Sequence, residues 1–336
     1  MHFSEDNYAM SFNGVSVVTT TWNERENIEA FVFSIRRELQ QIPHEIIIVD
    51  DASTDSSDRI IQAYLSDARI NYSRNSENLG ATASSNIALR KMKGDYITFL
   101  DQDDFWLPTF LSKLVDKARE YPDSGLIYCD FYILDENKGT KKVIYNPNPL
   151  APRIFLKKLF LYKTFIATYL QAALTKRECF DSLGYFDESL VGLIDYEFWL
   201  RVAGRYAMQK VDAPLAVKRL HDKNLTDQMG DSLFVDKLNI SKNIVGFYPE
   251  LIQYVRKRDS FIYYDWAIYK MKCGDMDGAR SKFKESLEEN RMNFFSYVGL
   301  VALHFGKKGR YLLTFPRWLR YRAIQVKRAV LLHTEL

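Results

Sequence analysis

Three carboxylates fall within four residues in Asp101-Gln102-Asp103-Asp104, directly behind the apolar run YITFL. Like charges held so close repel, so either water screens them on a loop or a cation sits among them. Hard oxygen donors of this kind suit Mg2+ or Mn2+, commonly shared between one or two carboxylates and substrate phosphates. A solvated acidic loop is the plainer alternative. A second acidic corner, Asp50-Asp51 in VDDASTD, offers a carboxylate to a base N–H or a ribose hydroxyl, or else merely caps the helix that follows. In LIDYEFWLR, Asp195 and Glu197 are each either a general base or a charge favoured by a helix N-terminus. RLHDKNLT adds Arg219, His221 and Asn224, able to donate to a diphosphate, although a lone loop histidine is more often structural.

The elements that must position these residues follow from hydrophobic patterning. VSVVTTT (Val15 to Thr21) and EIIIVDD (Glu45 to Asp51) are continuous apolar, largely β-branched runs, as expected of strands buried on both faces. A helically spaced segment follows each, and ARINYSRN, GATASSNIALRKM and DYITFLD continue as strand, helix and strand. Such alternation predicts a parallel α/β sheet, with ligands at the carboxyl ends of its strands. Asp50, Asp51, Asp101, Asp103 and Asp104 all fall at such ends. The aromatic-proline stretch FWLP should fix the acidic loop. From about Lys141 to Lys163 the pattern loosens, and NPNPLAP reads as loop. Order resumes with YLQAALTKRECFDSLGYFDESL and a strongly patterned helix over LIDYEFWLRVAGRY. After about Asp227 strand signals vanish, which divides the chain into an α/β domain, 1–226, and a helical C-terminal region, 227–336. Within the latter, two amphipathic helices around a Gly-Asp turn resemble one tetratricopeptide-like hairpin, too little for a solenoid.

Bulk properties narrow the function. The 336 residues are 47% hydrophobic and 26% charged, which suits a soluble protein with a sizeable core. A net charge of +3 is too small to imply nucleic-acid binding. Cys129, Cys179 and Cys273 are widely separated and form no metal or disulfide pattern, as expected of buried thiols in a reducing compartment. MHFSEDNYAM lacks the order of a signal peptide, and no apolar stretch is long enough to span a bilayer. The expected location is the cytoplasm, with peripheral contact at the inner face of the cell membrane left open.

In serial order, TTTWNE, IIIVDDASTD, NLGATASSNIAL, GDYITFLDQDDFWLP, DYEFWLR and KRLHDKNLT resemble the family 2 glycosyltransferases over about Val15 to Thr226. That resemblance implies a GT-A fold, a Rossmann-like mixed and mainly parallel sheet, and inverting transfer of a sugar from a nucleotide-diphosphate donor. It implies that Thr19, Thr21 and Glu24 line the nucleoside pocket, with Asp51 meeting the base. Asp101 would approach the ribose and Gln102 would share the donor site. Asp103 and His221 would hold Mg2+ or Mn2+ against the diphosphate, and Asp104 would support the loop or approach the sugar. Asp195 matches the family's catalytic base. The implied partners are a UDP- or dTDP-linked sugar and a glycan or lipid-linked acceptor in polysaccharide or glycoconjugate biosynthesis. Two positions depart from the pattern: Ile194 stands where many relatives carry Glu, and Ser84-Ser85-Asn86 replaces Ala-Arg-Asn.

Two other readings compete. A catalytically silent nucleotide-sugar-binding subunit acting through its helical tail would not need Asp195. An aspartate-nucleophile phosphatase would place Asp-x-Asp after the first strand, where TTTWNE stands. Finally, every charged residue from Lys307 to Arg328 is basic, interleaved with Tyr311, Phe315, Trp318 and Tyr321. That composition suits either an anionic membrane surface or a helix with a solvated basic face.

Overall fold

The computed structural model describes residues 14–39, 42–161, 169–221, 229–306 and 309. They divide into two compact units at Gly230/Asp231, four residues beyond the boundary expected from the sequence.

In the first unit, β1 (Val15–Thr21), β2 (His44–Asp50), β3 (Ile70–Arg74) and β4 (Tyr96–Phe99) pair in parallel. Val15, Val17 and Val18 of β1 and Ile47 and Val49 of β2 are fully buried, because the crossover helices cover the faces of the sheet. Those crossovers are α1 (Ile28–Glu38), α2 (Ser57–Gln62) and α3 (Ala81–Leu89).

The chain continues through β5 (Phe105–Trp106), α4 (Phe110–Glu120), β6 (Ser124–Asp135), β7 (Thr140–Ile144) and α5 (Pro152–Leu161). After a 3-10 turn at Leu170–Ala172 come β8 (Ala173–Lys176), α6 (Arg177–Leu183), α7 (Ile194–Arg205) and β9 (Ala207–Leu220). Among the described residues nine strands form one mixed sheet in the order β3-β2-β1-β4-β8-β6-β9-β5, with β7 beside β6. The stretch expected to be irregular after Lys141 instead contains β7 and α5. Pro152 occupies the first helical position, where its missing N–H costs nothing, and Phe155, Leu156, Leu159 and Phe160 supply a buried face.

Strand direction decides which residues share an edge. β8 runs antiparallel to both β4 and β6, and β9 runs parallel to β6. β9 therefore points the same way as β1, β2 and β4, and its end at Leu220–His221 lies on the edge where those strands finish. Helix α7 stops at Arg205, just before β9 begins at the opposite edge. Its twelve residues rise about 18 Å, so returning along the sheet carries its N-terminus toward the shared carboxyl edge.

The second unit is helical: α8 (Ser232–Phe247), α9 (Ile252–Cys273), α10 (Met276–Glu289) and α11 (Phe294–Ala302). Gly274 ends α9 at φ 85°, a left-handed conformation that favours glycine, and the Asp275 carboxylate accepts from Gly278 N at 2.8 Å to cap α10. Tyr264, Ala267, Met271, Ala279, Phe283 and Ala302 make its core. No described helix is long and apolar enough to cross a membrane. The basic run 307–328, apart from Gly309, and Asn224 lie outside the described residues.

Candidate active site

The edge is built where β1 outruns β4. Val18 is the last β1 residue paired with β4, opposite Phe99, and Leu100 N then donates to Val18 O at 3.1 Å. This sets Asp101–Asp104 beside the end of β1. Gln102 is buried and donates through Nε2 to Thr19 Oγ1 at 2.6 Å and to Thr20 O at 3.0 Å, stapling the acidic loop to β1. On the far side, Phe105 and Trp106 pair with Val217 and Ala216 of β9, and Trp106 Nε1 donates to Gln171 O at 2.8 Å. Trp106, 2% exposed, stacks on Phe110 with centroids 4.6 Å apart. The loop is held at both ends.

Ligand oxygens of Asp101, Asp103 and Asp104 lie within 4.8 Å of one another. Asp104 is buried, accepting from Arg219 N at 2.8 Å and from the Tyr169 hydroxyl. Burial, then the neighbouring Asp103 charge, pushes the Asp104 carboxyl up to about 7. Asp101 keeps a solvent-exposed face although protein atoms crowd around its carboxyl. It accepts from Gln171 Nε2, and desolvation followed by the charges of Asp104 and Asp103 pushes it up to about 8. Asp103 is half-buried and meets His221 Nε2 at 3.0 Å. The donor set is carboxylate oxygens plus one imidazole, and two carboxyls favour protonation near neutrality because burial and the neighbouring carboxylates oppose their ionisation. That fits a divalent cation at the Asp101, Asp103 and Asp104 cluster, with His221 beside Asp103, since a cation would relieve the repulsion that a proton otherwise relieves.

The second acidic corner separates into two roles. Asp50 is fully buried; it accepts from Ser53 N at 2.8 Å, Tyr72 Oη at 3.0 Å and Arg74 Nη1 at 3.2 Å, so it closes the β2–α2 loop. The adjacent Asp51 accepts from Asn75 Nδ2, Leu79 N and Gly80 N, each at 2.8 Å, and thereby fixes the loop leading into α3. Neither caps α2, where Asp55 accepts from Ser57 N at 3.0 Å. With neighbouring strands about 4.8 Å apart, Asp51 past β2 and the cluster past β4 stand roughly 10 Å apart across β1. Thr19 and Thr21 are both buried at 2% exposure; the Thr19 hydroxyl is taken by Gln102, and the Thr21 hydroxyl has no partner among the described residues. Glu24 is half-buried and accepts from Asn27 Nδ2 at 2.7 Å, and its charge reaches Asp101.

At the start of α7 the two rival carboxylates part company. Glu197, 3% exposed, is locked onto Arg201 by bonds of 2.9, 3.1 and 2.7 Å, and Arg201 also donates to the carbonyls of Leu183, Gly184 and Tyr185. Burial pushes the Glu197 carboxyl up against the pull of Arg201. Asp195 is half-buried on the first turn, where its Oδ1 accepts from Tyr196 N at 2.7 Å. Its approach is set by Leu193 at φ 52°, a left-handed conformation that costs a branched side chain energy, and by Asn86. The Asn86 amide donates to Phe186 O and Glu188 Oε1 and accepts from Phe186 N, tying the 184–190 loop to α3.

Several residues here escaped the sequence reading. Lys218, at the end of β9, is near enough to Asp101 and Asp104 to draw both carboxyls down, and Gln171 and Tyr169 bond the cluster from the turn before β8. Trp22, 55% exposed at the end of β1, offers an open aromatic face on this edge. Two of these positions carried a signal: Lys218 opens the basic KRLH motif, and Trp22 stands within TTTWNE. Arg219, by contrast, spends its guanidinium on Glu136 at 2.6 Å.

Comparison with known proteins adds an independent line. The family described as Glycosyl transferase family 2 matches residues 16–184. The putative colanic acid biosynthesis glycosyl transferase WcaA of Escherichia coli K12 is 30% identical over 57% of this chain and 67% of its own. A shorter match, 39% identical over 35% of this chain and 46% of the relative, is the E. coli UDP-Glc:alpha-D-GlcNAc-diphosphoundecaprenol beta-1,3-glucosyltransferase WfaP. Among solved structures, S. aureus TarS 1-349 in complex with UDP-GlcNAc superposes with a TM-score of 0.62 at 14% identity, over 90% of this chain and 91% of that one. The Pyrobaculum calidifontis mannosyltransferase PcManGT, in complex with GDP-Man and Mn2+, gives 0.56 at 17% identity, over 94% and 87%. Both likenesses concern the fold, which is GT-A-like.

Proposed function

The chain belongs to glycosyl transferase family 2 and is a nucleotide-sugar-dependent glycosyltransferase of polysaccharide biosynthesis, and from that premise we propose an inverting, metal-assisted transfer with Asp195 as the base. The observation that carries this reading is the Asp101–Asp104 cluster, where burial and mutual repulsion oppose ionisation at the carboxyl edge of the sheet. The donor is a UDP- or dTDP-linked sugar. Its nucleoside lies along the ends of β1 and β2, in reach of Glu24 and the loop ordered by Asp51, with the open face of Trp22 beside it. Gln102 holds the acidic loop in register, and Asp104 acts as a support for it.

Asp103 and His221 would hold Mg2+ or Mn2+, which when bound neutralises charge on the departing diphosphate. Lys218 contributes a second positive charge on that side. The acceptor hydroxyl attacks the anomeric carbon from the face opposite the diphosphate. Its oxygen forms the new glycosidic bond, its proton passes to the Asp195 carboxylate, and the nucleoside diphosphate leaves with the bonding pair. One carboxylate base suffices for such a single displacement. The name of WfaP supports a lipid-diphosphate-linked glycan as the kind of acceptor.

Thermal-shift screening against a nucleotide-sugar panel with and without Mn2+, paired with nucleoside-diphosphate release assays, tests this reading. Wild type should be stabilised by its donor chiefly when the ion is present, and Asp103→Asn should lose both that increment and turnover. An Asp103→Asn protein with wild-type donor affinity and rate would end the proposal.

A further inference from the structure

The last described helix presents an apolar face that the described residues leave exposed. From Phe294 to Phe305 the chain carries no Asp, Glu, Lys or Arg. Ser296, Gly299 and Ala302 turn inward; a Cβ on Gly299 would come within 2.3 Å of the Phe283 ring, so that side is packed to contact. On the other side Phe294 is 69% exposed, Tyr297 48%, Val301 58% and Phe305 60%. Spacing of three and four residues places Phe294, Tyr297 and Val301 in one stripe along the helix, and Phe305 follows four residues later in the turn beyond it. Met292, just before the helix, is 88% exposed as well. Isolated exposed apolar residues are ordinary, but a continuous stripe of large ones without a charge is not.

The charges stand at the ends of this stripe. Arg291 is exposed just before it. Just after it the chain turns at Gly306, with φ 53°, and Gly309 packs against the backbone of Ala302. Gly309 sits within KKGR, the opening of the stretch 307–328, whose sequence holds eight basic residues and no acidic one. An apolar stripe bounded by cations is complementary to one environment in both respects: an acyl boundary under anionic headgroups.

We propose that the Phe294–Phe305 stripe is an interfacial membrane-docking surface, seating the protein on an anionic bilayer by insertion of Phe294, Tyr297, Val301 and Phe305. A second copy of the chain would match the apolar stripe but not the basic sequence that follows it, since both copies carry the same excess of cations. The inference concerns the helical unit and stands whether or not the catalytic assignments hold.

Flotation of the full chain tests it, with vesicles of phosphatidylcholine alone and of phosphatidylcholine with phosphatidylglycerol. Wild type should float with the anionic vesicles and not with the neutral ones. Phe294→Ser/Val301→Ser should reduce partitioning roughly 100-fold, since two apolar side chains no longer leave water. Because both sites are exposed, its melting temperature and nucleoside-diphosphate release should match wild type; Tyr297→Ser/Phe305→Ser provides an independent pair. Equal flotation of wild type and both variants would overturn the proposal. So would failure of wild type to float, or a wild-type dimer that the variants convert to monomer.

Discussion

Asp195 and Glu197 sit two residues apart on one helix, and exchanging each for its amide separates catalysis from architecture. In Glu197→Gln the buried Arg201 keeps its three carbonyl partners but loses its counter-charge. Breaking one side of a buried pair costs about 3–5 kcal/mol, and because the amide oxygen still accepts, the lower end, about 3 kcal/mol, applies. For a unit of this size each kcal/mol lowers the melting temperature by about 2–4 °C, so a fall of roughly 6–12 °C is expected. Turnover at a temperature well below the transition should change little. In Asp195→Asn the oxygen that accepts from Tyr196 N at 2.7 Å is retained, so the helix start is undisturbed and the melting temperature should move by less than about 2 °C. The rate, lacking a base, should fall by about 10²–10⁴-fold with donor affinity intact. Differential scanning fluorimetry and a coupled assay of nucleoside-diphosphate release read both quantities. A Glu197→Gln enzyme that melts like wild type but has lost most of its turnover would refute the reasoning, because Glu197 would then be reactive rather than structural.

Two further outcomes follow from the same geometry. The carboxyls of Asp101 and Asp104, at about 8 and about 7, hold protons in the folded chain that they release in the unfolded one above its ordinary value of 3.8. Between those limits the native state binds more protons, so stability falls as pH rises. With divalent ions chelated, the melting temperature should therefore drop from about pH 5.5 to about pH 8, and added Mn2+ should restore more at the upper pH; a flat profile, or a larger Mn2+ effect in acid, would contradict this. Asp51→Asn turns an amide N–H toward a backbone N–H at Leu79 or Gly80, costing about 1.5–3 kcal/mol, and should weaken nucleotide binding as the loop before α3 loosens. Urea unfolding and calorimetric titration with the nucleotide check it, and unchanged values in both would remove Asp51 from the site.

What the sequence determined by itself was local. Continuous β-branched runs at Val15–Thr21 and Glu45–Asp51 have one stable solution, a strand covered on both faces, and turn signals after them place the acidic residues at strand ends. The helical hairpin around Gly274-Asp275 was legible for the same reason, since a glycine and a capping aspartate act within one turn. The long strands β6 and β9 went unassigned, because Pro214 and the register shifts near Asp130 break the alternation that marks a strand. They form only because each pairs with the other over most of its length, a contact more than 70 residues apart in the chain. Tertiary structure alone decided the partners of each carboxylate. In DYEFWLR the spacing of Glu197 and Arg201 permits a helical ion pair, but only the fold buries that pair and brings the carbonyls of the 183–185 turn to it. Likewise, Asp50 and Asp51 differ only in which loop each faces, and Lys218 becomes relevant to Asp101 only when β9 is laid beside β6. Hydrogen bonds and charges act over a few ångströms of space, whereas sequence reports neighbours along the backbone, so roles that depend on distant partners appear only once the chain has folded.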